Sequence, residues 1–201
     1  MVRRTAVEAA QTRRDLLDAA LEVFGACGYA RATLGQIADH AGVTRGALYH
    51  HFADKADVYD ALLRREADEV AGPLMAALLG DGLPLQRLRD FIVAYCKALA
   101  RDARFRRAVE LLLFGGPGTP APAQARTRRG YQAWLHTFED LLAQARDRGN
   151  LRQGITPQAA ARTVVAATVG ATTTALHAPE AFSPADDADA LADILIAGLT
   201  P

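Results

Sequence analysis

The chain has 201 residues, 50% hydrophobic and 23% charged, which suits one large or two small soluble domains with a core of useful size. Its 23 basic and 23 acidic residues cancel. A globally basic nucleic-acid binder is thereby excluded, and any DNA-binding surface has to be local.

Ala, Leu and Arg are abundant and no run shows the β-branched alternation of a strand, so nearly every segment reads as helix. The expected fold class is all-α, with about nine helices. A first helix runs from about Glu8 to Gly25, with Leu17, Leu21 and Phe24 on one face and Gly28 as a stop signal. A second begins at Thr33, where Thr33-Leu34-Gly35-Gln36 fits a capping box, and ends near Ala41-Gly42. A short third helix covers about Thr44 to His51. Asp54 then caps a long fourth helix carrying Val58, Leu62 and Val70, before Gly72-Pro73 and the Gly80–Pro84 stop. A fifth turns Leu85, Leu88, Ile92, Tyr95 and Leu99 inward, and a sixth spans about Phe105 to Phe114. Gly115 to Pro122 is the one clear loop. The seventh helix holds Trp134, Phe138, Leu141 and Ala145 and ends at Gly149-Asn150. Thr156-Pro157 opens an eighth to about Leu176, and Ser183-Pro184-Ala185-Asp186 opens a ninth by the same grammar.

Residues Leu34 to Leu48 carry the strongest signal. A helix-turn-helix needs a small residue where its helices nearly touch, and Ala38 fills that place. It needs a residue tolerant of positive φ at the turn, supplied by Gly42, and apolar anchors, supplied by Ile37, Val43 and Leu48. With Leu48 inward, Thr44, Arg45, Tyr49 and His50 are free to face out. Arg45 has the fork geometry for guanine O6 and N7. Gly46 and Ala47 are small enough to let the helix sit deep in a major groove, although Gly46 fits close helix packing equally well. Up to Lys55 the seven Lys and Arg residues exceed the six Asp and Glu by one, so charge adds little.

The stretch Thr33-Leu34-Gly35-Gln36-Ile37-Ala38-Asp39-His40-Ala41-Gly42-Val43-Thr44-Arg45-Gly46-Ala47-Leu48-Tyr49-His50-His51-Phe52-Ala53-Asp54-Lys55 resembles the signature of the TetR family of transcriptional repressors. The likeness runs from Thr12-Arg13 through Leu62. The rest of the chain is similar, in helix order and a few apolar positions, to the AcrR-like regulators of multidrug efflux. Gly115 to Pro122 departs from that branch, whose chain tends to be helical there. The resemblance implies a DNA-binding repressor, released from operator DNA by a small hydrophobic or amphipathic ligand, controlling an efflux or stress gene and acting as a homodimer. It implies a DNA-binding domain over residues 1–54 and a ligand-binding and dimerisation domain over residues 55–201. It implies phosphate contacts at Thr33, Tyr49 and Lys55, and groove positions at Thr44, Arg45, Gly46 and His50. His51 and Phe52 match structural positions.

The second domain holds Phe91, Tyr95, Phe105, Phe114, Trp134 and Phe138, with Glu110, His136, Thr168, Thr172 and His177 as polar candidates for a ligand site. Each aromatic alone reads as ordinary core; together with the flexible loop they favour a cavity. Glu110 would point to a cationic ligand or an Arg partner if buried, and is only a solvated charge if exposed. Ala171 and Ala175 are small enough for close helix approach, and Leu191, Ile194 and Leu195 form an apolar stripe suited to a dimer face or to burial within one chain.

Cys27 and Cys96 read as buried reduced thiols, and no Cys/His group has metal-ligand spacing, so no disulfide, metal or other cofactor is expected. No nucleophile–base pair or phosphate loop appears, and no enzyme is expected. The absence of a signal-type apolar stretch makes the cytoplasm the expected compartment, with no membrane partner. Two alternatives stay open: a TetR-like regulator of another metabolite or an activator, and a helical carrier or enzyme without DNA binding.

Overall fold

The computed structural model describes residues 6–114 and 118–201; the Phe114 side chain and residues 115–117 of the expected loop lie outside the described residues. Every regular element among the described residues is helical. In chain order these are α1 (Ala6–Arg31), α2 (Leu34–His40), α3 (Arg45–Tyr49) and α4 (Lys55–Glu66). One π-helical turn, Ala67–Ala71, joins α4 to α5 (Gly72–Leu78). Then follow α6 (Pro84–Arg101), α7 (Ala103–Phe114), α8 (Ala121–Asp147), α9 (Pro157–His177) and α10 (Ala188–Leu199). Counted as one stretch, α4 to α5 restores the nine helices read from the sequence.

Four boundaries differ from the sequence reading. The first helix runs on to Arg31, through a kink at Gly28, whose φ of 73° is left-handed. Helix passes through Gly72-Pro73 because proline sits in the first turn of α5, where its missing N–H costs nothing. Ala121 and Pro122 open α8 instead of ending a loop, for the same reason. Ser183-Pro184 caps a turn ahead of the helix: the Ser183 hydroxyl accepts from the Asp186 N–H (3.3 Å) and donates to Asp186 Oδ2 (2.7 Å), and the Ser183 N–H donates to Asp187 Oδ2 (2.8 Å). The α10 helix starts only at Ala188.

Among the described residues two compact units emerge, one of residues 6–69 with 107–114 and 118–127, the other of residues 70–106 with 128–201. This division by compactness differs from the boundary at residues 54/55 suggested by function. In the first unit, Leu16, Leu17, Ala20 and Phe24 of α1 pack with Ile37 and Ala38 of α2, Leu48 of α3 and Val58, Tyr59 and Leu62 of α4. Leu111 and Ala123 complete this core. Phe24 meets Tyr59 edge-on at 4.9 Å, and Tyr29 meets Tyr59 at 5.0 Å. Asp60 hydrogen-bonds Arg64 one turn along α4 and Arg126 of α8. Burial pushes the Asp60 carboxyl up, but both guanidiniums outweigh it and hold the group below the usual carboxylate range.

In the second unit, Arg89 of α6 bridges Asp189 (2.9 Å) and Asp193 (2.7 Å) of α10. Arg152 donates to Thr200 O and Ala197 O, both at 3.1 Å, and so closes the last turn of α10. At the end of α8 the Asn150 N–H reaches Ala145 O (2.8 Å) and the Gly149 N–H reaches Arg146 O (2.9 Å). With Gly149 at φ 72° this is the stop read from Gly149-Asn150. Cys27 and Cys96 are free thiols, and burial pushes the Cys96 thiol up to about 11.

Candidate nucleic-acid interface

The end of α2 shows why the turn forms where it does. Gly42 sits at φ 66°. Its N–H donates to Asp39 O (3.1 Å), and the next N–H, of Val43, donates to Ala38 O (3.0 Å). This pair of bonds is a Schellman cap, which needs a residue comfortable in the left-handed region. At the other end of α2, the Thr33 hydroxyl accepts from the Gln36 N–H (3.2 Å) and donates to Gln36 Oε1 (3.0 Å). Gln36 Oε1 also accepts from the Thr33 N–H (2.9 Å), completing the expected capping box.

Thr44 opens α3, its hydroxyl accepting from the Ala47 N–H at 3.1 Å. Leu48 anchors the short helix at 0% exposure. Burying this leucine and Ile37 on one side turns Thr44, Arg45, Gly46, Tyr49 and His50 to solvent, while Ala47 is half-buried. Tyr49 is 58% exposed, unusual for so large a ring. Arg45 has no hydrogen-bond or ion-pair partner among the described residues, so its fork of donors is open. A Cβ added at Gly46 would find nothing nearer than Thr44 Oγ1 at 3.8 Å. Packing inside the chain therefore does not explain Gly46.

Lys55, which the resemblance places at a phosphate, is engaged within the chain. Its ammonium donates to Tyr29 O (2.8 Å), Ala32 O (2.9 Å) and Ala30 O (3.3 Å). It also lies 4.4 Å from the centre of the Tyr29 ring. The carbonyls closing α1 are acceptors at the negative end of a helix dipole, and they take all three protons of the cation.

In the second unit Phe91, Tyr95, Phe105 and Phe138 are buried and Trp134 half-buried. They pack edge to face: Phe91 with Phe138 at 5.3 Å, Tyr95 with Phe105 at 5.5 Å, Phe91 with Trp134 at 6.0 Å. The Tyr95 hydroxyl lies 2.8 Å from Thr172 Oγ1, and that hydroxyl donates to Thr168 O (2.8 Å). Burial raises the Tyr95 phenol well above its ordinary range, against a weaker downward pull from the Thr172 bond. Of the other polar candidates, Glu110 is exposed on α7 in the first unit and His177 is exposed at the end of α9. The sequence could not rank the faces of α7, because apolar residues at 108, 109, 111 and 112 flank Glu110 on both sides.

Along α9 and α10 the stripe of small and apolar residues remains uncovered within the chain. Ile194 is 72% exposed, and Ala171, Ala175, Leu191 and Leu195 are partly exposed. Ile194 and Leu195 line an apolar groove with Ile155, Ala159, Thr163 and Gly198, four residues that sequence reasoning missed. The spacing of Ala159 and Thr163 one turn apart was their only signal. Among the described residues no group of His, Cys, Asp and Glu could hold a metal ion, and no helix is long and apolar enough to cross a membrane.

Comparison with known proteins agrees with this geometry. Residues 16–62 match the family profile described as bacterial regulatory proteins, tetR family. The HTH-type transcriptional repressor BepR of Brucella suis is 34% identical over 186 residues, covering 90% of this chain and 88% of BepR. The crystal structure of NalD, the secondary repressor of the MexAB-OprM multidrug efflux pump in Pseudomonas aeruginosa, aligns with TM-score 0.81 at 31% identity, covering 96% of this chain and 98% of NalD. The SmeT–triclosan complex aligns with TM-score 0.83 at 31% identity, covering 95% and 92%.

Proposed function

Since the chain belongs to the TetR family of bacterial regulatory proteins, we propose that it is a repressor that grips operator DNA as a homodimer and lets go on binding a small hydrophobic or amphipathic molecule. DNA reading is assigned to residues 1–54, ligand binding and dimerisation to residues 55–201. The relatives it resembles are transcriptional regulators, and the chain is a regulator, not an enzyme.

One observation carries the DNA-reading assignment: an exposed face of α3 that presents Arg45, Tyr49 and His50 beside a Gly46 the fold does not require. Arg45 is the base reader, with an open guanidinium suited to a guanine edge. Thr44, Gly46 and Ala47 let α3 approach the groove. Tyr49, His50 and Thr33 flank it, and Thr33 reaches a phosphate by turning its hydroxyl away from Gln36. Lys55 supports this head from behind.

The uncovered face with Ala171, Ala175, Leu191, Ile194 and Leu195 is the reading's dimer contact. Two such heads fit DNA when they are about 34–36 Å apart, one helical turn, and a ligand that favours another spacing releases them. Phe91, Tyr95, Phe105, Trp134, Phe138, Thr168 and Thr172 are the candidate ligand-contacting residues. The efflux pump named with NalD and the triclosan bound to SmeT support an efflux gene as target and a small molecule as trigger.

A gel shift on DNA flanking the protein's own gene, repeated at rising salt, tests the assignment. Expected is binding that weakens with salt and exceeds binding to random duplex by about a thousandfold or more. Arg45→Ala should cut that ratio roughly tenfold to a hundredfold while leaving random-duplex binding nearly unchanged. Equal losses on both duplexes would reduce Arg45 to a phosphate contact. No binding at any salt would return the chain to the class of carriers.

A further inference from the structure

Gly35 lies in the first turn of α2 and is buried, yet its backbone does not require glycine. It is absent from the positive-φ residues, so its conformation is open to any L side chain. The small residue buried between α2 and α3 is a separate one, Ala38, at 0% exposure. The atoms nearest to where a side chain would stand all belong to one group. A Cβ built on Gly35 would lie 2.5 Å from Arg45 Nη2, 2.9 Å from Cζ and 3.0 Å from Nε, and these are its three nearest atoms. The guanidinium of the proposed base reader thus lies across the bare Cα of Gly35. Glycine in a helix is less stable than alanine, so the exchange has a cost that the fold alone does not explain.

We propose that Gly35 is a specificity-determining positioning residue: its missing side chain forms the seat that holds the Arg45 guanidinium in one orientation for reading a base edge. The inference rests on α3 being the DNA-reading helix. An arginine on an exposed helix loses rotamer freedom when it makes a bidentate contact. A seat that restricts the plane beforehand lessens the loss on binding. A methyl at position 35 would unseat the guanidinium, because the atoms nearest to it are the free end of a flexible chain that can move aside.

The test uses full-length protein and a duplex selected by the wild type from random-sequence DNA. Dissociation constants for that duplex and for random duplex are measured at one salt concentration for wild type, Gly35→Ala, Arg45→Ala and the double variant. Gly35→Ala should hold or raise the thermal midpoint and lower the specificity ratio about five- to tenfold. In the Arg45→Ala background the same change should do nothing further. An unchanged or higher ratio in Gly35→Ala overturns the seat. So does an equal loss in both backgrounds, which would place the effect elsewhere. A midpoint lowered by more than about 5 °C would make Gly35 a packing requirement and refute the seat as well. Failure of the wild type to select any duplex removes the DNA-reading assignment itself, and the seat with it; loss of ratio in Arg45→Ala but not in Gly35→Ala removes the seat alone.

Discussion

Replacing Lys55 with methionine separates the structural role seen in its bonds to the end of α1 from the phosphate contact that the family resemblance implies. Methionine keeps the apolar stem and removes the charge and the donors. Three hydrogen bonds disappear, two of them partly buried at 2.8 and 2.9 Å and one exposed at 3.3 Å. Bonds to a charged group contribute about 1.5–3 kcal/mol when well buried. Water can reach the freed carbonyls here, so the two inner bonds are taken at about 1 kcal/mol each and the outer one at nearly nothing. The cation over the Tyr29 ring adds about 0.5 kcal/mol. The expected loss is about 2–3 kcal/mol, or roughly 5–10 °C in the thermal midpoint of a chain of this length. Circular dichroism melts at fixed protein concentration read it, because a dimer's midpoint moves with concentration. The slope of log binding constant against log salt, measured on the same samples, should stay that of the wild type. A midpoint within about 2 °C of wild type, together with a slope shallower by about 1, would refute the reasoning and return Lys55 to the phosphate backbone.

The hydroxyl pair in the second unit should respond asymmetrically. Thr172→Val leaves the buried Tyr95 hydroxyl without its acceptor and should cost about 1–3 kcal/mol in urea unfolding, whereas Tyr95→Phe leaves Thr172 still bonded to Thr168 O and should cost about 1 kcal/mol. Equal costs would mean that Tyr95 finds another partner. Asp60→Asn tests the Arg64–Asp60–Arg126 cluster by pH. The folded carboxyl titrates below its unfolded value, so its stabilisation is complete above about pH 5 and fades as pH falls below about 4. The wild type should therefore exceed Asp60→Asn at neutral pH and lose its advantage in acid; an advantage that survives to about pH 2 would assign it to packing instead of charge.

The fold of the α2–α3 segment was legible because its determinants are local. A capping box spans Thr33 to Gln36, a left-handed glycine ends α2 at Gly42, and one buried leucine orients α3. Each is fixed by neighbours within four or five residues, where spacing is itself geometry. Lys55 was not legible in this way. Its partners lie 23 to 26 residues earlier, and only the packing of α4 on α1 brings them together. The Gly35–Arg45 contact joins two helices and left no trace in the sequence beyond a glycine in a helical pattern. The exposure of Glu110, which the sequence left open, was hidden for a related reason: a helix flanked by apolar residues on two sides does not announce which side turns inward. Ser183-Pro184 misled because the same dipeptide grammar opens a turn as readily as a helix.

Gly46 offers a freedom the rest of the head lacks. Leu48, Ile37 and Ala38 are locked by the interior, and Gly42 by its dihedral angle. Position 46 answers to neither constraint, since it is exposed, its φ is not left-handed, and an added Cβ would meet Thr44 Oγ1 only at an ordinary 3.8 Å. A lineage or an engineer could rewrite that one site to retune which promoters are silenced, while the scaffold beneath folds as before.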